Sequence, residues 1–233
     1  MSWSPMRLLT SAVLTAWAVL FWFLILGGRT SLYLSARTDW IVPVGAILMT
    51  IAAIGRLLTS RTAHAEPFGA RDAVRTAVVA IPIVAVLALP PTSLGTYAAS
   101  RRSTFVSGGI AADPASIATG RLDLADVAGA LRSNEGAKAL ADRAGTEVTF
   151  VGFVARERGM PADQFQLTRF LISCCVADAL SVQVRVVGAT PGELEKDEWV
   201  RVRGSIYPLG REIVLDAREI DKVDRPKRPY LNT

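Results

Sequence analysis

Two adjacent cysteines, Cys174 and Cys175, are the residues of this chain best suited to chemistry, and they are its only cysteines. Asp178 follows three positions after Cys175, and Arg169 precedes the pair by five. Thiolates are soft ligands that suit copper or zinc, and a carboxylate can add an oxygen. The pattern predicts a metal site at Cys174, Cys175 and Asp178, and it groups Arg169 with them in one functional or structural cluster.

Two other interpretations of the cysteine pair stay open. Neighbouring thiols can oxidise to a strained and therefore easily reduced disulfide, whereas free cysteine often packs in a core as a small apolar residue. A zinc site usually has four ligands, and the single histidine, His64, lies more than a hundred positions away. We therefore expect that a complete metal site would need ligands from a partner or a second copy.

The stretch "FQLTRFLISCC", residues 165–175, predicts the strand that would carry this cluster. Adjacent residues of a regular strand point to opposite faces, so Cys174 and Cys175 reach one ion only if the strand ends before Cys175. Arg169 stands among apolar residues and needs a partner there, for which Asp178 is the candidate.

Strand periodicity continues through residues 146–226 and predicts a small all-β barrel. Five strands, with a short helix begun by Pro191 between the third and the fourth, give the order of an OB-like fold. Gly152 and Gly204 stand within strands, where glycine permits the bends that close a small barrel. One or two short helices are expected in the linker region 101–145, and residues 227–233 form a tail.

The first hundred residues predict a transmembrane domain, with about three spans near 8–27, 40–58 and 76–94. The chain is 51% hydrophobic, and the excess lies in this part. Pro82 predicts a kink in the third span. A cleaved signal peptide is the rival for the first span, but the apolar run is long and no cleavage box follows it directly. The fold class is thus a membrane protein with N-terminal helices followed by an OB-like barrel.

Short-loop lysines and arginines favour a cytoplasmic N-terminus, by five on that side against four on the other. With three spans, the C-terminal domain lies outside the cytoplasm, and the protein is a multi-pass protein of the cell membrane whose surroundings are the lipid bilayer. Loss of one span would reverse the side of the barrel.

Charge and motifs exclude several functions. Residues 146–233 carry 13 Lys and Arg against 13 Asp and Glu, so the net charge of +5 lies on the membrane half and no nucleic-acid partner is expected. The sequence contains no GxxxxGKS/T phosphate loop and no histidine near a serine or aspartate of the C-terminal domain. We expect a protein that is not an enzyme.

Three segments carry a family resemblance: "LPPTSLGTYAA", "VTFVGFVARERGMPADQFQLTRFLISCCVADALSVQVRV" and "EWVRVRGSI". Together they resemble the YcgQ-like family of bacterial membrane proteins, the small subunit of a two-component membrane permease. The resemblance covers essentially the whole chain and implies a larger polytopic permease subunit as partner. Relatives often have a histidine-rich loop between the later spans, whereas this chain has only His64 there.

The expected function is an accessory subunit of a permease complex, in which the spans dock on the larger subunit and the barrel gates, assembles or presents substrate. Small residues in the second span would permit close helix contact, either with that partner or within this chain: Gly45, Ala46, Ala52, Ala53 and Gly55. The alternative is a stand-alone envelope protein that binds zinc or copper, or does thiol redox chemistry, at Cys174 and Cys175.

Overall fold

A computed structural model describes residues 2–62, 69–88, 92–101, 113–120, 122–210 and 212–232. The chain divides into two compact units, Met1–Thr92 and Ser93–Thr233. The expected boundary near residue 100 thus lies slightly earlier, because residues 93–101 pack with the barrel. His64 lies outside the described residues.

The first unit is helical. Its elements are α1 (Pro5–Leu26), a 3₁₀ turn (Thr30–Leu32), α2 (Ile41–Leu58) and α3 (Ala70–Ala88), with a two-residue strand pair, β1 (Ser2–Trp3) and β2 (Arg61–Thr62). Pro5 suits the first position of α1, where the missing N–H would have no helical partner. Helix α3 continues through Pro82.

Helices α1 and α2 pack through small side chains. Ala18 of α1 and Ala46 and Ala53 of α2 are buried, and the Ser11 hydroxyl donates to the carbonyl of Ala53 at 3.0 Å. Ala46 and Ala53 therefore serve the packing of this chain, as the within-chain interpretation predicts. Ala52, by contrast, is exposed on α2.

Two helices, α1 and α2, are long and apolar enough to cross a membrane. Their large exposed side chains are apolar, including Val19, Leu26, Ile47 and Ile51. A helix that is apolar all round needs an apolar environment, because exposed apolar area is unfavourable in water.

The third expected span is not confirmed. In α3 the charged residues Arg71, Asp72 and Arg75 occupy the first turns, so its uncharged described part is residues 76–88. At 1.5 Å per residue that part is roughly 20 Å long, which is short of a hydrocarbon core of about 30 Å. Of the rest of the predicted span, residues 89–91 lie outside the described residues, and residues 92–94 are not helical.

Among its described residues, the second unit contains four short α-helices and six strands. They are α4 (Thr96–Ala99), α5 (Pro114–Thr119), α6 (Leu124–Ala130), α7 (Asn134–Ala141), β3 (Glu147–Ala155), β4 (Gln164–Ile172), β5 (Leu180–Val187), β6 (Trp199–Leu209), β7 (Glu212–Lys222) and β8 (Leu231–Asn232). Asp123 caps α6 by accepting the N–H of Asp126 at 2.7 Å, and Ser133 caps α7 through Gly136 at 3.0 Å.

Five long strands form a closed β-barrel. They follow the order β3-β6-β7-β5-β4, and β4 pairs again with β3 to close the ring. All neighbouring pairs are antiparallel except β5 and β7. The short strand β8 adds to β4 in parallel, so the C-terminal segment expected as a tail extends this sheet beyond the barrel.

Two apolar clusters cover both faces of the barrel wall. The main core joins strand residues such as Phe150, Phe165 and Leu215 to helix residues such as Val127 and Leu140. A second cluster, which we call the outer cluster, contains Ala99, Phe153, Ala155, Phe170, Ile172, Ala179, Trp199 and Tyr230. Because both faces are covered, the strands are more apolar than simple alternation requires.

The predicted helix at Pro191, between β5 and β6, is wrong. Residues 191–197 form turns instead. Gly192 has a φ of 80° and Asp197 a φ of 66°, and a left-handed conformation of this kind interrupts a right-handed helix. Apart from the 3₁₀ turn at Val176–Asp178, the helical residues that the structure describes in the second unit precede β3.

Candidate functional site

Strand β4 ends at Ile172, before both cysteines. Ser173 and Cys174 lie in a bend, and Val176–Asp178 form a 3₁₀ turn whose Asp178 N–H donates to the carbonyl of Cys175 at 3.1 Å. We call residues 173–178 the cysteine loop. The sequence required the strand to end before Cys175 if both thiols are to reach one ion. The structure meets this condition, because the two thiols do not project from a regular strand.

The carboxylate of Asp178 organises the cysteine loop. It accepts the backbone N–H groups of Ser173 at 3.0 Å, Cys174 at 2.7 Å and Cys175 at 3.4 Å. Successive N–H groups that converge in this way form a concave site for an anion, which here is the chain's own carboxylate. Short acidic side chains commonly compete with a strand ladder for backbone N–H groups, and that tendency explains why β4 ends here.

The two thiols lie beside this carboxylate. The Sγ atoms of Cys174 and Cys175 are 3.6 Å apart, and both lie within 4.8 Å of a carboxylate oxygen of Asp178. Cys174 is exposed and Cys175 is half-buried, and no disulfide joins them. Exposure of Cys174 excludes a core-packing role for that side chain.

Hydrogen bonding in the cysteine loop shifts two pKa values in opposite directions. The bond of the Cys174 thiol to Asp178, followed by its bond to Cys175, raises the pKa of Cys174 to about 11. Burial alone would raise the pKa of Asp178, but the bonds from the Cys174 thiol and the three backbone N–H groups outweigh it and lower that pKa. At neutral pH the loop thus holds an ionised carboxylate and a protonated Cys174.

Arg169 does not join the cysteine loop, and its predicted pairing with Asp178 is wrong. Its Nε and Nη2 atoms donate to the carbonyls of Pro229 and Arg228, both at 2.9 Å, and its guanidinium carbon lies 5.9 Å from the Trp199 ring centroid. Burial lowers the pKa of Arg169. Arg169 therefore holds the C-terminal segment on the barrel. This role could not be predicted, because the sequence after Val223 has no repeating pattern of apolar and polar residues.

The donor set of the cysteine loop suits a soft cation. Two sulfurs and one carboxylate lie together at an exposed edge, where an ion can enter without rearrangement of the core. Thiolates favour copper(I) or zinc over hard cations such as magnesium. The raised pKa of Cys174 lowers the fraction of thiolate at neutral pH, which slows redox exchange and also means that a bound ion would displace the thiol proton.

Alkylation of Cys174 should be slow at neutral pH and should accelerate as the pH rises. In a Cys175→Ser variant, only thiolate reacts with iodoacetamide, so the rate should rise about tenfold per pH unit between pH 7 and 9, below the raised pKa. An added Asp178→Asn change should speed the reaction at pH 8, because it removes the main cause of the raised pKa. Mass spectrometry follows the rate, and a pH-independent rate would contradict this environment.

Residues 136–232 match the family model of the DUF1980 C-terminal domain. The match begins in α7 and contains the whole barrel, the cysteine loop and β8. This match supports the resemblance of the chain to the YcgQ-like family. No curated protein matches the chain.

Proposed function

We propose that the barrel binds a thiophilic metal ion through Cys174 and Cys175, and that the chain does so as the accessory subunit of a membrane permease complex. The observation that carries the metal site is the convergence of both sulfurs and the Asp178 carboxylate within 4.8 Å of one another. Its place in an exposed loop suits transfer of the ion to or from a partner. The role is binding rather than catalysis.

Copper(I) fits the cysteine loop better than zinc. A carboxylate has about four lone-pair positions, and three backbone N–H groups already occupy the Asp178 carboxylate. Asp178 therefore positions the loop and leaves two thiolates as the main ligands, which suits a soft ion of low coordination number. Zinc, with its usual four ligands, would draw the remaining ones from a partner.

The permease role is supported by the family resemblance and by the apolar surface of α1 and α2. The two helices bury only small parts of their surfaces against each other, and the exposed remainder is apolar. Exposed Ala52 and Gly55 on α2 offer small side chains for close approach of a helix from the larger subunit.

The OB-like assignment and the membrane topology belong to the same proposal. Renumbered from one, the barrel strands follow the closed order 1-4-5-3-2 with a parallel pair between the third and fifth, which agrees with an OB-like Greek key. A third crossing, by α3 and the residues after it, would leave the barrel outside the cytoplasm.

Purification in mild detergent tests the function. The full chain, expressed in cells that carry the larger permease gene, should co-purify with a polytopic protein and, after copper(I) loading under reducing conditions, retain about one ion per chain, as two-thiolate ligation requires. A solitary chain that retains copper would support the stand-alone alternative. A chain that retains no metal with or without the partner would overturn the metal-binding role.

A further inference from the structure

A second candidate site lies on the barrel domain away from the cysteine loop. It is a cleft of about 400 Å³ between residues 96–100 and the barrel, and none of its lining residues belongs to residues 173–178. We call it the Gln166 cleft. Its volume lies within the range of roughly 300–1,000 Å³ that is usual for small-molecule pockets.

One wall of the Gln166 cleft is fixed by hydrogen bonds. The N–H and the hydroxyl of Thr96 both donate to Oδ1 of Asp197, at 2.6 and 2.7 Å. Ala99, one turn further along α4, is buried in the outer cluster. The wall is therefore held against the barrel by polar and apolar contacts together, and the cleft is formed before any ligand enters.

The base of the cleft contains two glutamine amides. Gln166 is only 8% exposed, and its side-chain amide has no hydrogen-bond partner among the residues that the structure describes. Gln183 donates from Nε2 to the Ser181 hydroxyl at 3.1 Å, which leaves its amide oxygen for the cleft. The Gln166 amide stays open to the cleft and Gln183 is half-buried, so a ligand with hydroxyl groups would exchange hydrogen bonds with both amides.

The rim of the cleft is positively charged. Arg156, Arg158 and Lys196 line it against one carboxylate, Glu157. Within the described ranges, none of these three cations forms an ion pair. Arg156 donates from Nη1 to the carbonyls of Ala162 and Gln164, but its buried Nη2 has no partner. The rim thus offers charge and unused donors to an oxyanion.

We propose that the Gln166 cleft binds a small anion with a phosphate group and a short hydroxylated body, of the glycerol-phosphate kind. The cations hold the phosphate, and the amides of Gln166 and Gln183 hold the hydroxyls. A bare oxyanion would leave most of the volume and both amides unused. The same chemistry is available from free glycerol phosphate and from the headgroup of phosphatidylglycerol.

Calorimetry on the full chain in uncharged detergent tests the cleft, with sn-glycerol 3-phosphate as probe. Binding is expected, and it should weaken at least about tenfold in an Arg158→Ala, Lys196→Ala double variant, since charge-assisted bonds to the phosphate are lost. These side chains are exposed, so the variant should fold. Gln166→Leu, of similar volume, should weaken glycerol phosphate more than inorganic phosphate.

Arg201→Ala is the matched control, because Arg201 is an exposed barrel cation outside the cleft. A second arm compares nanodiscs of phosphatidylcholine with and without phosphatidylglycerol. Binding that occurs only with phosphatidylglycerol nanodiscs, and is lost in the double variant, identifies the lipid headgroup as the ligand. Binding of free sn-glycerol 3-phosphate identifies soluble glycerol phosphate as the ligand. No binding in either arm, or equal binding by the double variant and the control, would overturn the proposal.

Discussion

Gly204→Ala should unfold the last hairpin of the barrel, β6 with β7. A Cβ atom on Gly204 would overlap the carbonyl oxygen of Asp216 on the neighbouring strand. The residue stands at a register shift of that strand pair, so the obstructing atom is backbone and cannot rotate away as a side chain can. We expect a loss of about 3–4 kcal/mol in the free energy of unfolding, which is a large part of the stability of a typical domain.

Hydrogen exchange of β6 and β7 amides in the detergent-solubilised chain measures this effect. Gly55→Ala is the matched control, because a Cβ there meets no atom within 4 Å and alanine favours the helix. The control should leave barrel exchange unchanged. Equal protection of the hairpin in wild type and Gly204→Ala would contradict the close approach of the two strands.

Replacement of Cys174 and Cys175 by serine should abolish binding of copper(I). Both proposed ligands become hydroxyls, which are hard and stay protonated at neutral pH. Loss of a group that only orients a metal ligand already costs about 10–100-fold in affinity, so loss of both ligands should cost more than about 100-fold. Competition with a copper(I) chelator of known affinity measures the change.

Two carboxylate variants distinguish the positioning of the cysteines by Asp178 from the effect of negative charge on the protein as a whole. Asp178→Asn should weaken copper(I) binding by about 10–100-fold, because it loosens the N–H groups that place both cysteines. Asp163→Asn, at an exposed site outside the cysteine loop, should leave affinity within about twofold, as expected for a distant surface charge. Equal loss in both variants would show that charge alone matters.

The sequence predicted those helices and strands in which apolar residues follow a regular pattern along the chain. Alternation in 165–175 predicted β4, which in the structure ends earlier, at Ile172, and the long apolar runs predicted α1 and α2. The candidate site residues Cys174, Cys175 and Asp178 could be named from residue type and spacing alone. What sequence could not decide was whether both thiols reach one point, because that depends on where a strand ends.

Features that depend on distant contacts were not predictable. The partners of Arg169 are carbonyls of Arg228 and Pro229, about sixty positions away, in a segment without a repeating pattern. The turn at Gly192 replaced a predicted helix because a local left-handed conformation overrode the Pro191 signal. The Gln166 cleft depends on α4, whose residues the sequence analysis assigned to the transmembrane domain, residues 1–100.

Thiol ligation of a soft metal by the cysteine loop is most directly tested by X-ray absorption at the copper edge. The full chain in neutral detergent is loaded with one equivalent of copper(I), and the same spectrum is recorded for the Cys174→Ser, Cys175→Ser variant. The structure predicts two sulfur neighbours at the metal in the wild type and none in the variant. A wild-type spectrum with only nitrogen and oxygen neighbours would contradict the proposed site.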